Sequence, residues 1–177
     1  KNCSSNKAMA KKGNNVNGME SFDDTRNFEK VLDDPTGLLT FSYAELIGQN
    51  GLAARRCRPK HFWIEVLPTL TNTAVSSNLA ENVYCQPKVR DQISGLFLPS
   101  QPWQIVSNIN STRFLINVDK MAQDAPGVKG SGITNDGGLV LGLEFSPTSL
   151  DAPRKVQMRI RSQFRIFPQE SFIFLTK

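Results

Sequence analysis

Arg154-Lys-Val-Gln-Met-Arg-Ile-Arg-Ser-Gln-Phe-Arg-Ile-Phe167 alternates with period two from Val156 onward. Val156, Met158, Ile160, Ser162, Phe164 and Ile166 share one face, and Gln157, Arg159, Arg161, Gln163 and Arg165 share the other. Successive side chains of a strand point to opposite sides of a sheet, so the stretch predicts a half-buried β-strand with a cationic outer face. That outer face carries three arginines and no acid.

Outward from this strand, the pattern is β throughout. Residues 38–47, 61–67, 82–85, 92–98, 103–106, 113–118, 139–145, 156–167 and 171–175 read as strands, broken by Pro, Gly and Asn. Asp33-Asp-Pro-Thr-Gly37 is a turn signal, since proline sets φ and glycine admits a positive one. Helical periodicity is confined to a short segment at 25–32 and another within 118–123. Residues 125–138, rich in glycine, read as a long loop. Roughly eight strands with recurrent turns predict an antiparallel sandwich or barrel and argue against an α/β cofactor-binding fold.

The chain has 177 residues, enough for one sizeable domain. Residues 1–27 are rich in Asn, Ser, Lys and Gly and too poor in apolar side chains to offset their ordering entropy. They predict a flexible basic N-terminal arm, leaving 28–177 as the folded domain. The start shows no signal-peptide core, and no window holds the ~20 apolar residues that cross a bilayer. Three cysteines without a CxxC pair suggest no disulfide framework.

Catalytic signatures are missing. There is no Walker loop, nucleophile elbow, HExxH or paired metal-spaced Cys/His motif. The sole histidine, His61, is four residues from Cys57, but Pro59 between them blocks a helix. On an extended chain the two are about 13 Å apart, so His61 is expected to be a structural or surface residue near a strand start. Gly127-Val-Lys-Gly-Ser-Gly132 lacks the strand-to-helix context of a phosphate nest and reads as a flexible surface loop. Asp23-Asp24 and Asp33-Asp34 lack a calcium-loop pattern and read as solvated charge. No enzyme, cofactor or metal is expected.

Clustered positive charge remains, on a chain of net charge +5. Such a balance fits an acidic partner or simply a basic protein. Lys7, Lys11 and Lys12 lie in the arm; Arg55, Arg56, Arg58 and Lys60 precede the aromatic strand at 61–67; Arg154, Lys155, Arg159, Arg161 and Arg165 form a third group. Arginine forks suit phosphate oxygens, and phosphate neutralisation gives sequence-independent, salt-sensitive affinity. The first two groups are therefore the candidate nucleic-acid contacts: Lys7, Lys11, Lys12, Arg55, Arg56, Arg58 and Lys60. The arm also fits a passive terminus. The strand arginines equally fit an exposed sheet face, or salt bridges between subunits with the acids at 20–34.

Two stretches carry a family likeness. His61-Phe-Trp-Ile-Glu-Val-Leu-Pro-Thr-Leu70 is similar to a strand and Pro-Thr-Leu loop in capsid proteins of the turnip yellow mosaic type. Gly138-Leu-Val-Leu-Gly-Leu-Glu-Phe145, then the alternating strand ending at Phe167, resembles the last two strands of such proteins. As a pattern over roughly 38–170, the chain resembles a single jelly-roll capsid protein of a small icosahedral positive-strand RNA virus. The resemblance implies an eight-stranded antiparallel jelly-roll β-sandwich, assembly with copies of itself into a shell, an arm turned inward onto genomic RNA, and residence in the virion after assembly in the host cytoplasm. No membrane partner is implied. The arm departs from the most basic members of the class, which carry dense arginine runs. Two rival functions use similar material: a viral cell-to-cell movement protein that binds RNA, and a β-sandwich module recognising glycan or protein.

Overall fold

The computed structural model describes residues 20–32, 36–47, 56–68, 71–72, 83–106, 109–129, 133–134, 138–146 and 154–167. In chain order the elements are β1 (Glu20–Leu32), β2 (Leu38–Ser42), α1 (Tyr43–Ile47), β3 (Arg56–Val66), β4 (Thr71–Asn72), β5 (Val83–Arg90), β6 (Phe97–Pro99), β7 (Gln104–Val106), β8 (Thr112–Asn117), α2 (Val118–Asp124), a 3-10 turn at Pro126–Lys129, β9 (Ile133–Thr134), β10 (Leu139–Ser146) and β11 (Arg154–Ile166).

The strands form two antiparallel sheets, ordered β1-β11-β3-β8 and β2-β10-β5-β6. The short β4 adds to β11, β9 to β3 and β7 to β5. β6 and β7 run in one direction along β5, against its two ends, so together they act as one interrupted strand. Eight principal strands then pair as a rolled-up hairpin. First joins last (β1 with β11), second joins seventh (β2 with β10), third joins sixth (β3 with β8), and fourth joins fifth (β5 with β6 and β7). Winding that hairpin lays β11 on β3 and β10 on β5. This is the jelly roll, a two-sheet solution that closes an antiparallel chain around one core.

The alternation of β11 holds along its length. Val156, Met158, Ile160, Ser162, Phe164 and Ile166 are all buried. Phe164 meets Phe62 edge-on at 5.9 Å and Tyr43 at 5.7 Å. Each fully buried side chain of this kind is worth about 1.5–3 kcal/mol, against about 0–1 kcal/mol for an exposed ion pair. The inner face therefore decides the fold, and the outer face can carry charge at little cost in stability. Gly142 of β10 is required by close approach: a Cβ there would lie 2.9 Å from Phe97 Cδ1 and 3.1 Å from Leu38 Cδ1.

Several expectations are corrected. Residues 25–32 are not helical; they belong to β1, so residues 20–27, expected to lie in the arm, are strand. The strand expected over 38–47 stops at Ser42, where a capping box begins α1. Glu45 N donates to Ser42 Oγ at 3.2 Å, and Ser42 N donates to Glu45 Oε2 at 2.7 Å. The strand expected at 61–67 starts earlier, at Arg56, which places His61 in mid-strand. β5 runs on through Pro87, and a turn occupies 92–94 where a strand was expected. The glycine-rich segment is not simply a flexible loop. Gly127 and Val128 are buried, and Gln92 N donates to Gly127 O at 2.9 Å. A Cβ on Gly127 would overlap Asp91 Oδ1 at 1.6 Å. The expected strand at 171–175 lies outside the described residues, while the helix expected within 118–123 is α2, capped by Asn117 Oδ1 accepting from Lys120 N at 3.0 Å.

Candidate nucleic-acid interface

The cationic residues of β11 and β3 meet on the outer face of the β1-β11-β3-β8 sheet, and an irregularity in β3 decides how. Ser162 opposes Phe62 and Gln163 opposes His61, but Phe164 opposes Pro59. Lys60 is therefore the extra residue of a β-bulge. Cys57, Pro59 and Phe62 are buried, so the inward set changes from odd to even numbers across the bulge. Unbroken alternation from Phe62 would have turned Arg58 and Arg56 into the core. With the bulge, they stand on the same outer face as His61, Trp63 and Glu65. Pro59 has no N–H to give to a ladder, and a bulge is where a central strand tolerates it.

Beyond the bulge toward Val66, the cations are matched by acids. Arg161 grips Asp23 of β1 with both Nε and Nη2, at 2.9 and 2.6 Å. This contact raises the Arg161 pKa, chiefly through the hydrogen bond and then through the Asp23 charge. Arg113 of β8 donates twice to Glu65 Oε1, at 3.1 and 3.0 Å, and Arg159 Nη1 lies 3.5 Å from Glu65 Oε2. Lys155 pairs with Glu29, which also accepts from Gln157 Nε2 at 2.8 Å. Hydrogen bonds from Lys155 and then Gln157 hold the Glu29 carboxyl below its usual range. Arg161 also lies over the Trp63 ring, 4.5 Å from its centroid. Trp63, Glu65, Leu115 and the three arginines line an open groove of about 390 Å³.

Toward Arg56 the pattern reverses. Arg58 stands directly opposite Arg165, and Arg165 faces Ser21 on its other side. Neither arginine enters an ion pair with a described carboxylate. The Arg58 guanidinium lies 4.9 Å from the Phe167 ring centroid, and its Nε is buried without a hydrogen-bond partner. Arg56 is exposed, and Lys60 is half-buried at the bulge. Between the two regions, His61 Nδ1 is 3.0 Å from Gln163 Oε1. Glu20, the first described residue, opposes Ile166 at this same end of the sheet.

Of the expected contacts, Arg56, Arg58 and Lys60 are thus brought together, while Lys7, Lys11, Lys12 and Arg55 lie outside the described residues. The third group divides. Arg159 and Arg161 bind acids of their own chain, and of the acids at 20–34, Asp23 pairs with Arg161 and Glu29 with Lys155. Arg165 instead joins the second group. Only the pairing of β11 with β3 reveals this, and the residues themselves gave no signal of it. Cys57 faces the core, where burial pushes its thiol up to about 11, so Cys57 and His61 lie on opposite sides of the sheet.

No protein-family model and no curated protein sequence matches the chain. Solved structures similar to it include the decameric BFDV capsid protein, at 11% identity over 85% of this chain and 99% of that one, with a TM-score of 0.46. The VLP of giant freshwater prawn Macrobrachium rosenbergii extra small virus (XSV) matches at 9% identity over 80% and 79%, TM-score 0.36. Desmodium yellow mottle tymovirus matches at 12% identity over 96% and 99%, TM-score 0.36. These neighbours are viral capsid proteins.

Proposed function

We propose that the chain is the shell-forming subunit of a small icosahedral RNA virus, which assembles with copies of itself and packages genomic RNA through non-specific phosphate contacts. One observation carries the reading: Arg58 and Arg165 stand opposite each other with no ion pair to a described carboxylate, and Lys60 and the exposed Arg56 lie on the same stretch of β3. The sequence carries further cations at Lys7, Lys11, Lys12 and Arg55. Phosphate neutralisation needs clustered cations and no base-reading motif, which matches what the chain offers. The rolled hairpin supports the reading as well, since jelly rolls serve as shell building blocks.

The test is expression of the full chain followed by negative-stain microscopy and measurement of nuclease-protected RNA. Closed particles holding RNA are expected. Reversing Arg55, Arg56 and Arg58 to glutamate should sharply reduce that RNA, and unchanged content would refute the assignment of these residues. RNA binding without particles would favour a movement protein. Monomers lacking any salt-dependent RNA affinity would favour a module recognising glycan or protein, and particles lacking it would refute the packaging role.

A further inference from the structure

We propose that Arg58 and Arg165 form a two-arginine clamp for a single phosphate group. Directly opposed residues of antiparallel strands have Cβ atoms about 4.5–5.5 Å apart, and like charges there repel. A chain that places two arginines in this register, on two central strands, leaves a repulsion that a bound anion would remove. Among the described residues, the neighbouring outer-face positions supply no relief. Ser21 is a neutral hydroxyl, Gln163 is engaged with His61, and Phe167 is apolar. Asp23, the next residue after Ser21 on the outer face of β1, is already held by Nε and Nη2 of Arg161.

The clamp is also partly preorganised. Phe167 N donates to Arg56 O at 2.9 Å, which anchors the aromatic residue beside Arg58. Stacking on that ring restrains the guanidinium without using its N–H donors. The buried, unpartnered Arg58 Nε is costly to leave unpaired and is the donor an oxyanion would satisfy. Two guanidinium forks can together bind a phosphate through parallel N–H···O bonds. A phosphodiester of RNA and a free phosphate share this chemistry. Only the RNA source rests on the capsid reading.

Thermal unfolding of the full chain in inorganic phosphate, against chloride at matched ionic strength, tests the site. Phosphate should raise the melting temperature of the unmodified chain, and Arg165→Gln should remove that rise. Arg58→Lys, which keeps the charge but loses the fork, should weaken it. An equal rise in Arg165→Gln would overturn the proposal, as would no rise in the unmodified chain. A homopolymeric RNA in filter binding then separates the sources. A salt slope lower by about 1 in Arg165→Gln assigns the clamp to RNA. An unchanged slope, with the phosphate effect lost, supports a clamp for a small phosphate and removes its link to packaging.

Discussion

At one end of the outer face, Arg159 and Arg161 reach Glu65 and Asp23; at the other, Arg58 and Arg165 stand opposite each other. Both ends are strand surfaces with similar numbers of cations, built largely on the same two central strands. They differ in what lies across from each arginine, and that is set by register. On the outer face of β1, Glu29 stands opposite Gln157 and Asp23 turns to Arg161, while Ser21 is the residue opposite Arg165. The bulge at Lys60 then keeps Arg56 and Arg58 on the outer side. A count of charge along the sequence would treat the two ends alike, although among the described residues Arg58 and Arg165 are left without a carboxylate partner.

The strongest way to break this contrast is to change the register. Deleting Ile64 turns Phe62 outward and Trp63 inward, and should abolish cooperative unfolding by circular dichroism. Deleting Lys60 should have a smaller effect: it leaves Arg58, His61 and Trp63 facing outward, but it sets Pro59 in an unbulged central strand and should lower the melting temperature while keeping unfolding cooperative. Loss of the fold in that deletion would mean the bulge itself is required. A smaller effect is expected from Asp23→Asn, which frees Arg161 and makes the matched end resemble the cationic one. RNA affinity should rise, with the salt slope steeper by roughly 1, whereas Arg159→Gln with Arg161→Gln should leave both nearly unchanged. The smallest effect is the pH dependence of Glu29. Its pKa in the folded state is depressed, so its stabilising contribution is present above the usual carboxylate range and is lost as pH falls through the lowered value. Chemical-shift titration of the Glu29 carboxyl should therefore give a midpoint below 4.5, moving upward in Lys155→Ala.

β11 was readable in advance because its two faces differ in chemistry at every step. β1 was not. Its inward set includes Asp24, Arg26 and Lys30, which look like solvated charge but sit at the sheet margin with specific partners. Arg26 Nη2 donates to Ile47 O at 3.1 Å, and Lys30 Nζ donates to Thr40 O at 2.6 Å and to Glu45 at 2.7 Å. Polarity on both faces hid the period of two. For the candidate site, the cations of 56–60 were visible as a cluster. The division of the third group was not, since Arg161 finds Asp23 across 138 positions of sequence. Nor could the bulge be foreseen, because Lys60 is an extra residue only relative to the strand it pairs with.

The rolled hairpin also bears on the order in which the chain is made. β1 emerges first from the ribosome, yet all thirteen of its register partners lie in β11, the last strand of the described fold. Until β11 is synthesised, β1 has no strand to join and β3 lacks the neighbour between itself and β1. Closure of such long-range pairs is slow, because chain entropy must be overcome before the contacts reward it. A nascent chain halted before Arg154 therefore holds an open sheet with its apolar face uncovered, vulnerable to aggregation and to proteases. Synthesis must run through β11 before the β1-β11-β3-β8 sheet can close, and a fragment released earlier lacks the strand that joins β1 to β3.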